Sequence, residues 1–226
     1  MKSIKGKVNL SWNKKCSCYQ FSLPARRSCP GVEERMKNPM SVCNFCYACN
    51  SHWDYPAAKA FLEHNYKWVA GHACYVMMLE EFLESFDQIP EKHKKYFRFF
   101  GSGDVMTLEL GLMIISLAEM RPETKFWLTT HDAGFWDSIL DCCPVNLSVL
   151  LSSDNVDDPA MDWGATVVSG EPPAGYYKCP GKCETCRVCW DANPPKVAFQ
   201  IHGSACTMAK YKRAKNNSEK VIDKIA

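Results

Sequence analysis

Apolar positions in this chain gather into short runs, and each run closes on small or polar residues. Tyr96-Phe97-Arg98-Phe99-Phe100 gives way to Gly101-Ser102-Gly103-Asp104, and Lys125 to Thr130 gives way to His131-Asp132. Val145 to Leu151 ends in Ser152-Ser153-Asp154, and Ala165-Thr166-Val167-Val168 ends in Ser169-Gly170-Glu171. Lys196 to Ile201 ends in His202-Gly203-Ser204, and Cys18 to Pro24 alternates apolar with polar. Length and residue type predict strands for all six. Helical periodicity fills the gaps. Pro56 can open a helix at its first turn, and Tyr75, Met78, Leu79, Phe82, Leu83 and Phe86 share one helical face that stops at Pro90. Val105 to Met120 is apolar nearly all round, which predicts a well-buried helix ended by Pro122. Residues 134–142 suit a short helix, and the basic tail of about 209–226 suits a helix or a frayed end.

Strands alternating with helices predict an α/β fold. The expectation is a curved, mostly parallel sheet of about six strands with outer helices, barrel-like but partial, in one domain over residues 1–226. Strand ends of this kind form one C-terminal edge, where α/β proteins build their sites. Gly, Ser and Asp also serve as plain turn and cap residues there. Five such endings in sequence favour a functional rim.

Composition narrows the classes. With 46% hydrophobic residues, 7 Trp, 9 Tyr and 11 Phe, the 226-residue chain can bury a core, which excludes disorder. A net charge of +2 demands neither nucleic acid nor an anionic membrane. The basic ends, Lys2 to Lys15 and Lys210 to Lys224, would suit a phosphate backbone but read more simply as solvated surface. No apolar run reaches the roughly 18–20 residues of a spanning helix, and the first residues lack a signal-peptide core. The expectation is a cytoplasmic protein with no membrane partner.

That compartment gives the 14 cysteines their meaning, because thiols there are more often metal ligands than disulfides. Two constellations stand out. One is Cys29-Pro30 followed by Cys43-Asn44-Phe45-Cys46-Tyr47-Ala48-Cys49; the other is Cys179, Cys183, Cys186 and Cys189, followed by Trp190. Two-residue gaps let neighbouring thiolates turn toward one ion or cluster. Both segments are expected at the C-terminal edge, holding one shared centre or one centre each. Thiolate-only sites suit zinc as well as iron–sulfur clusters, and the close spacing with proline after the first cysteine leans toward iron. Trp190 would shield a cluster or serve as core. Cys74, Cys142 and Cys143 read as buried apolar residues instead.

Phe21-Ser22-Leu23-Pro24-Ala25, Cys29-Pro30, Cys43-x-x-Cys46-Tyr47-Ala48, Gly103-Asp104, and Cys179-Pro180 with Cys183-x-x-Cys186-x-x-Cys189-Trp190 together resemble the bacteriophage gene-product-88-like family. The resemblance implies phage origin and hence host cytoplasm. Cys-x-x-Cys-Tyr-Ala after a first strand, with a Gly-Asp loop after the next, more distantly resembles radical-SAM enzymes. That resemblance implies a [4Fe-4S] cluster with an open iron that binds and cleaves S-adenosylmethionine, with Ser102 and Asp104 near the ligand. The usual Cys-x3-Cys-x2-Cys is replaced here by Cys29-x13-Cys43-x2-Cys46 or Cys43-x2-Cys46-x2-Cys49, and spare thiols could close the open iron.

Asp104, His131 and His202 are the candidate catalytic residues, each at a strand end where it could relay a proton or bind a ligand. Capping and rim hydrogen bonds are their plainer roles. Cys206 is a further thiol candidate. Three classes follow: an iron–sulfur protein whose cluster is structural or exchanges electrons with a redox partner, a radical-SAM-like enzyme with its substrate, and a zinc-stabilised module binding nucleic acid or protein. The first is preferred. On this reading, the metal-free protein is unfolded or insoluble.

Overall fold

The computed structural model describes residues 3–49, 51–162, 164–202 and 205–222. Its strands are β1 (Ser3–Ile4), β2 (Leu10–Asn13), β3 (Cys18–Phe21), β4 (Tyr96–Phe99), β5 (Lys125–Thr130), β6 (Leu147–Val156), β7 (Gly164–Val168), β8 (Tyr177–Lys178) and β9 (Val197–Gln200). They form one nine-stranded sheet in the order β1-β2-β3-β4-β5-β6-β7-β9-β8. The six strands expected from the sequence are its central parallel ones, β3 to β7 and β9. The sheet is larger than expected because β1 and β2 add an antiparallel edge and β8 adds a short parallel one. The helices are α1 (Val32–Arg35), α2 (Pro56–Ala70), α3 (Tyr75–Phe86), α4 (Leu108–Met120), α5 (Ala133–Asp137) and α6 (Ala205–Ile222).

Alternation along the strands assigns the two faces. Phe21, Phe97, Phe99, Phe126, Leu128, Leu147 and Val149 pack with Trp68, Met78, Phe82, Phe86, Met113, Ile114 and Leu117 of the helices in the main core. The rings of Phe82, Phe97, Phe99 and Phe126 lie 5.0–6.0 Å apart, within the range of favourable aromatic pairs. Between these positions fall Arg98, Trp127 and Leu150, which face the other side with Ala165, Val197 and Phe199. That second face carries the cysteine-rich segments.

Several local expectations change. The helix expected from Val105 begins at Leu108, capped by Thr107 Oγ1 on Leu110 N–H. It is buried along one face only, since Leu108 and Met120 are more than half exposed. Ser152, Ser153 and Asp154 lie inside β6 rather than beyond it. Cys74 and Cys142 are exposed and Cys143 is half-buried, so none is a core residue. Gly203 and Ser204, from the last strand-end loop, lie outside the described residues.

Candidate metal centre

The loop from β3 to α2 carries Cys29, Cys43, Cys46 and Cys49. Turns position them: Cys29 N–H donates to Arg26 O at 3.1 Å, Ser41 Oγ accepts from Cys43 N–H at 3.3 Å, and Cys49 N–H donates to Cys46 O at 3.2 Å. Two ties hold the loop over the C-terminal ends of the strands: Tyr47 OH donates to Gly101 O at 2.6 Å, and Val156 N–H donates to Met40 O at 3.0 Å. Within the loop, Arg26 Nη2 donates to Cys43 O at 3.4 Å. The turn after β4 fits tightly beneath. Gly103 has φ +81°, and a Cβ there would lie 2.5 Å from Ser28 Oγ and 2.7 Å from Leu23 Cβ, so only glycine is accommodated.

Cys29, Cys43, Cys46 and Cys49 are electrostatic neighbours. Burial, and then the Asp104 charge, push the Cys29 thiol up to about 12. The hydrogen bond with Cys49, and then burial, push Cys46 up. The same contact, helped by Arg26, lowers Cys49 to about 7.

Asp104 is buried, with Oδ1 accepting from Val105 N–H at 2.8 Å and Oδ2 from His131 N–H at 2.9 Å. Burial raises its pKa. It therefore caps no helix and ties the end of β4 to the end of β5. Ser102 is buried, its carbonyl accepting from Leu23 N–H at 2.9 Å, and its hydroxyl has no hydrogen-bond partner. His131 Nδ1 meets Asp154 Oδ1 at 3.3 Å, and Asp154 also pairs with Arg35 at 3.6 Å. The exposed His202 stacks on Tyr47 at 5.3 Å.

The second segment settles elsewhere. Trp190 Nε1 donates to Phe97 O at 3.0 Å, its ring lies 4.9 Å from Trp127 and 5.8 Å from Tyr96, and Asp191 pairs with Lys125 at 3.9 Å. Tyr96 and Lys125 open β4 and β5, so residues 179–190 cover the N-terminal part of the second face. The expectation that both segments close over the C-terminal edge is corrected: Trp190 needs an apolar bed, and Trp127 provides it at the other end. There Cys179, Cys183 and Cys189 pack with the buried Cys16 and Cys18.

The Cys16 thiol contacts Cys18 and then Cys183, contacts that hold it far below the ordinary thiol range, with Arg98 adding to the effect. The same contact pushes Cys183 up, while burial pushes Cys189 up to about 12. Tyr177 OH lies 3.1 Å from Cys186 Sγ. Arg98 spans the space between the groups, with Nη1 3.8 Å from Cys16 Sγ and Nη2 3.4 Å from Tyr47 OH. Burial opposes its charge, but Tyr47 and Cys16 outweigh that and hold its pKa above the ordinary guanidinium value. None of the described cysteines is in a disulfide. Among the described residues no three His, Cys, Asp or Glu side chains converge on one metal position, so the thiols are neighbours without forming a closed cage.

The family model for gene product 88 matches residues 2–172. The chain belongs to the gene product 88 family. This is a phage gene-product family, and the matched span includes the first cysteine group, Asp104 and His131, whereas Cys179 to Cys189 fall beyond it. No curated protein and no solved structure matches the chain. Neither the family match nor these searches lend support to the radical-SAM resemblance. Within this gene product 88 chain, sequence reasoning set Cys29, Cys43, Cys46 and Cys49 together, which the structure carries on one loop without converging on a metal position, and it did not single out Cys16 and Cys18. The Cys-x-Cys spacing at the mouth of β3 was the available signal, with Cys16 in the turn that leads into the strand. The Cys206 side chain lies outside the described residues. No described helix is long and apolar enough to cross a membrane.

Proposed function

We propose that this gene product 88 family chain is an iron–sulfur protein of the host cytoplasm, with a [4Fe-4S] cluster at the Cys29, Cys43, Cys46 and Cys49 group. The observation that carries this reading is the gathering of four thiols by one loop at the C-terminal strand ends, in a chain whose described cysteines form no disulfide. Four thiolates are the usual complement of such a cluster. They leave no iron open, which favours a structural or electron-transferring centre over S-adenosylmethionine cleavage. Asp104 agrees with that choice, because its carboxylate is engaged by two backbone amides rather than directed at a ligand. The sequential order of β3 to β7 and β9 supports the finer reading of the sheet as part of an α/β barrel, whose C-terminal rim would hold the cluster.

The group can supply thiolate ligation and partial burial, the two features that tune a cluster's potential. The test is anaerobic purification with iron and acid-labile sulfide assayed per chain. A brown protein whose visible absorbance bleaches with dithionite, and which loses about four irons in Cys46→Ser but none in Cys74→Ser, is expected. A colourless protein carrying stoichiometric zinc, or equal iron in both variants, would overturn it.

A further inference from the structure

We propose that the second face holds a separate thiolate metal centre, and that Cys16, Cys179, Cys183 and Cys189 are its ligands. The inference goes beyond the cluster at the first group and does not require that centre to be iron.

Cys179, Cys183 and Cys189 pack against the buried cluster that contains Cys16, and Cys16 and Cys183 share a side-chain contact. Three of these thiols come from one segment, and the fourth comes from the β2–β3 hairpin at the far end of the sequence. Two further contacts hold the parts together: Arg187 Nη1 donates to Cys16 O at 2.7 Å, and Cys179 N–H donates to Ala198 O at 2.9 Å. Cys186, which the spacing alone would include, is engaged by Tyr177 OH at 3.1 Å. The sulfurs do not converge as they stand. Rotation between staggered χ1 wells displaces a cysteine sulfur by roughly 3 Å, which is the scale of adjustment a tetrahedral site requires.

The surroundings point to a buried, electron-rich occupant. Arg98 Nε, Trp127 Nε1 and Ser148 Oγ are buried without hydrogen-bond partners. Trp127 packs in the same group as Cys16, Cys18 and Cys183, and the Arg98 guanidinium lies 4.6 Å from its ring. Buried donors ordinarily find acceptors, and metal-bound thiolates or cluster sulfides would provide them. Arg98 and Arg187 would balance the negative charge that such ligands carry. The occupant is a thiophilic metal, either zinc or the iron of a cluster.

The experiment measures iron, zinc and sulfide per chain in the parent, in Cys16→Ser, Cys18→Ser and Cys186→Ser, and in each combined with Cys46→Ser. The parent should hold two centres and Cys46→Ser one. Cys16→Ser in the Cys46→Ser background should hold none, while Cys18→Ser and Cys186→Ser keep the remaining metal. Cys189→Ser, in the peripheral segment, should repeat the Cys16→Ser loss and guards against a hairpin variant that fails to fold. Sulfide in the remaining centre would assign a cluster, and its absence with one zinc would assign zinc. Full metal content in Cys16→Ser, or loss in Cys186→Ser with retention in Cys16→Ser, would overturn the proposal. Absence of metal from the first group alone would defeat the proposed function and leave this centre standing.

Discussion

Replacing Trp190 by alanine should release residues 179–190 from the sheet while leaving the rest of the fold in place. The indole is 2% exposed, lies 4.9 Å from the Trp127 ring, and donates to Phe97 O at 3.0 Å. Truncating a buried tryptophan costs about 3–5 kcal/mol. Because the segment sits at the periphery, that cost should appear as local opening rather than as global unfolding. Each ~1.4 kcal/mol is tenfold in an equilibrium, so the open population should rise from about a hundredfold to a few thousandfold. Lys182 and Arg187 make the opening visible to trypsin, whose cleavage follows the open population when reclosing is fast. Trp190→Phe keeps most of the ring packing and loses the donor, so about 1 kcal/mol and a roughly fivefold faster cleavage are expected. Cleavage within twofold of the parent in Trp190→Ala would show that other contacts dock the segment and that the tryptophan is incidental.

Two further outcomes follow from the helical layer. Glu81 accepts from Trp68 Nε1 at 2.7 Å and pairs with Lys7 at 3.4 Å, and these contacts, Trp68 first, lower its pKa from 4.5. A lowered carboxylate stabilises the fold fully above its unfolded value and progressively less as pH falls through the folded one. Glu81→Gln should therefore flatten the acid limb of urea midpoints measured from neutral pH downward, and parallel curves would count against the assignment. Gly111→Ala should gain ~1 kcal/mol of helix propensity, yet its Cβ would fall inside the Phe135 ring, so a net loss of about 1–3 kcal/mol is expected. Gly134→Ala, which meets nothing closer than Asp132 Oδ1 at 3.8 Å, should not show that loss, and equal midpoints for the two variants would refute the clash.

The parallel strands were legible because each is an apolar run bounded by turn residues. Leu10-Ser11-Trp12-Asn13 was hidden among lysines, and the two residues of β8 offer no pattern to read. β6 outran its expected end because Ser152 to Asp154 remain extended despite their polarity, with Ser153 Oγ bonded to Thr166 Oγ1 at 3.1 Å on β7. The first cysteine group could be read from spacing, since its members lie on one loop. Cys16 and Cys18 offered only a Cys-x-Cys spacing, and Cys18 was absorbed into the apolar alternation of the strand it opens. Spacing could not say which end of the sheet residues 179–190 would cover. That depends on where Trp190 finds its bed, a tertiary fact carried by Trp127 and Tyr96.

The two cysteine groups differ most in what a bound metal would do to the chain. Cys29 to Cys49 encloses about 20 residues, and closing such a loop removes an amount of unfolded-state entropy worth ~3 kcal/mol by the cross-link relation. Cys16 to Cys183 encloses about 170 residues, and the same relation gives ~5 kcal/mol. The first centre would then order its own loop, while the second would fasten the amino-terminal hairpin to the carboxyl-terminal third of the molecule. Metal loss at the two groups should consequently be felt at different ranges. Cys46→Ser should loosen residues 22–55, seen as faster amide exchange confined there, whereas Cys189→Ser should speed exchange both in residues 179–190 and in the β2–β3 hairpin. Identical exchange maps for the two variants would mean that the groups share one cooperative unit, coupled through Arg98, the side chain that reaches both Tyr47 and Cys16.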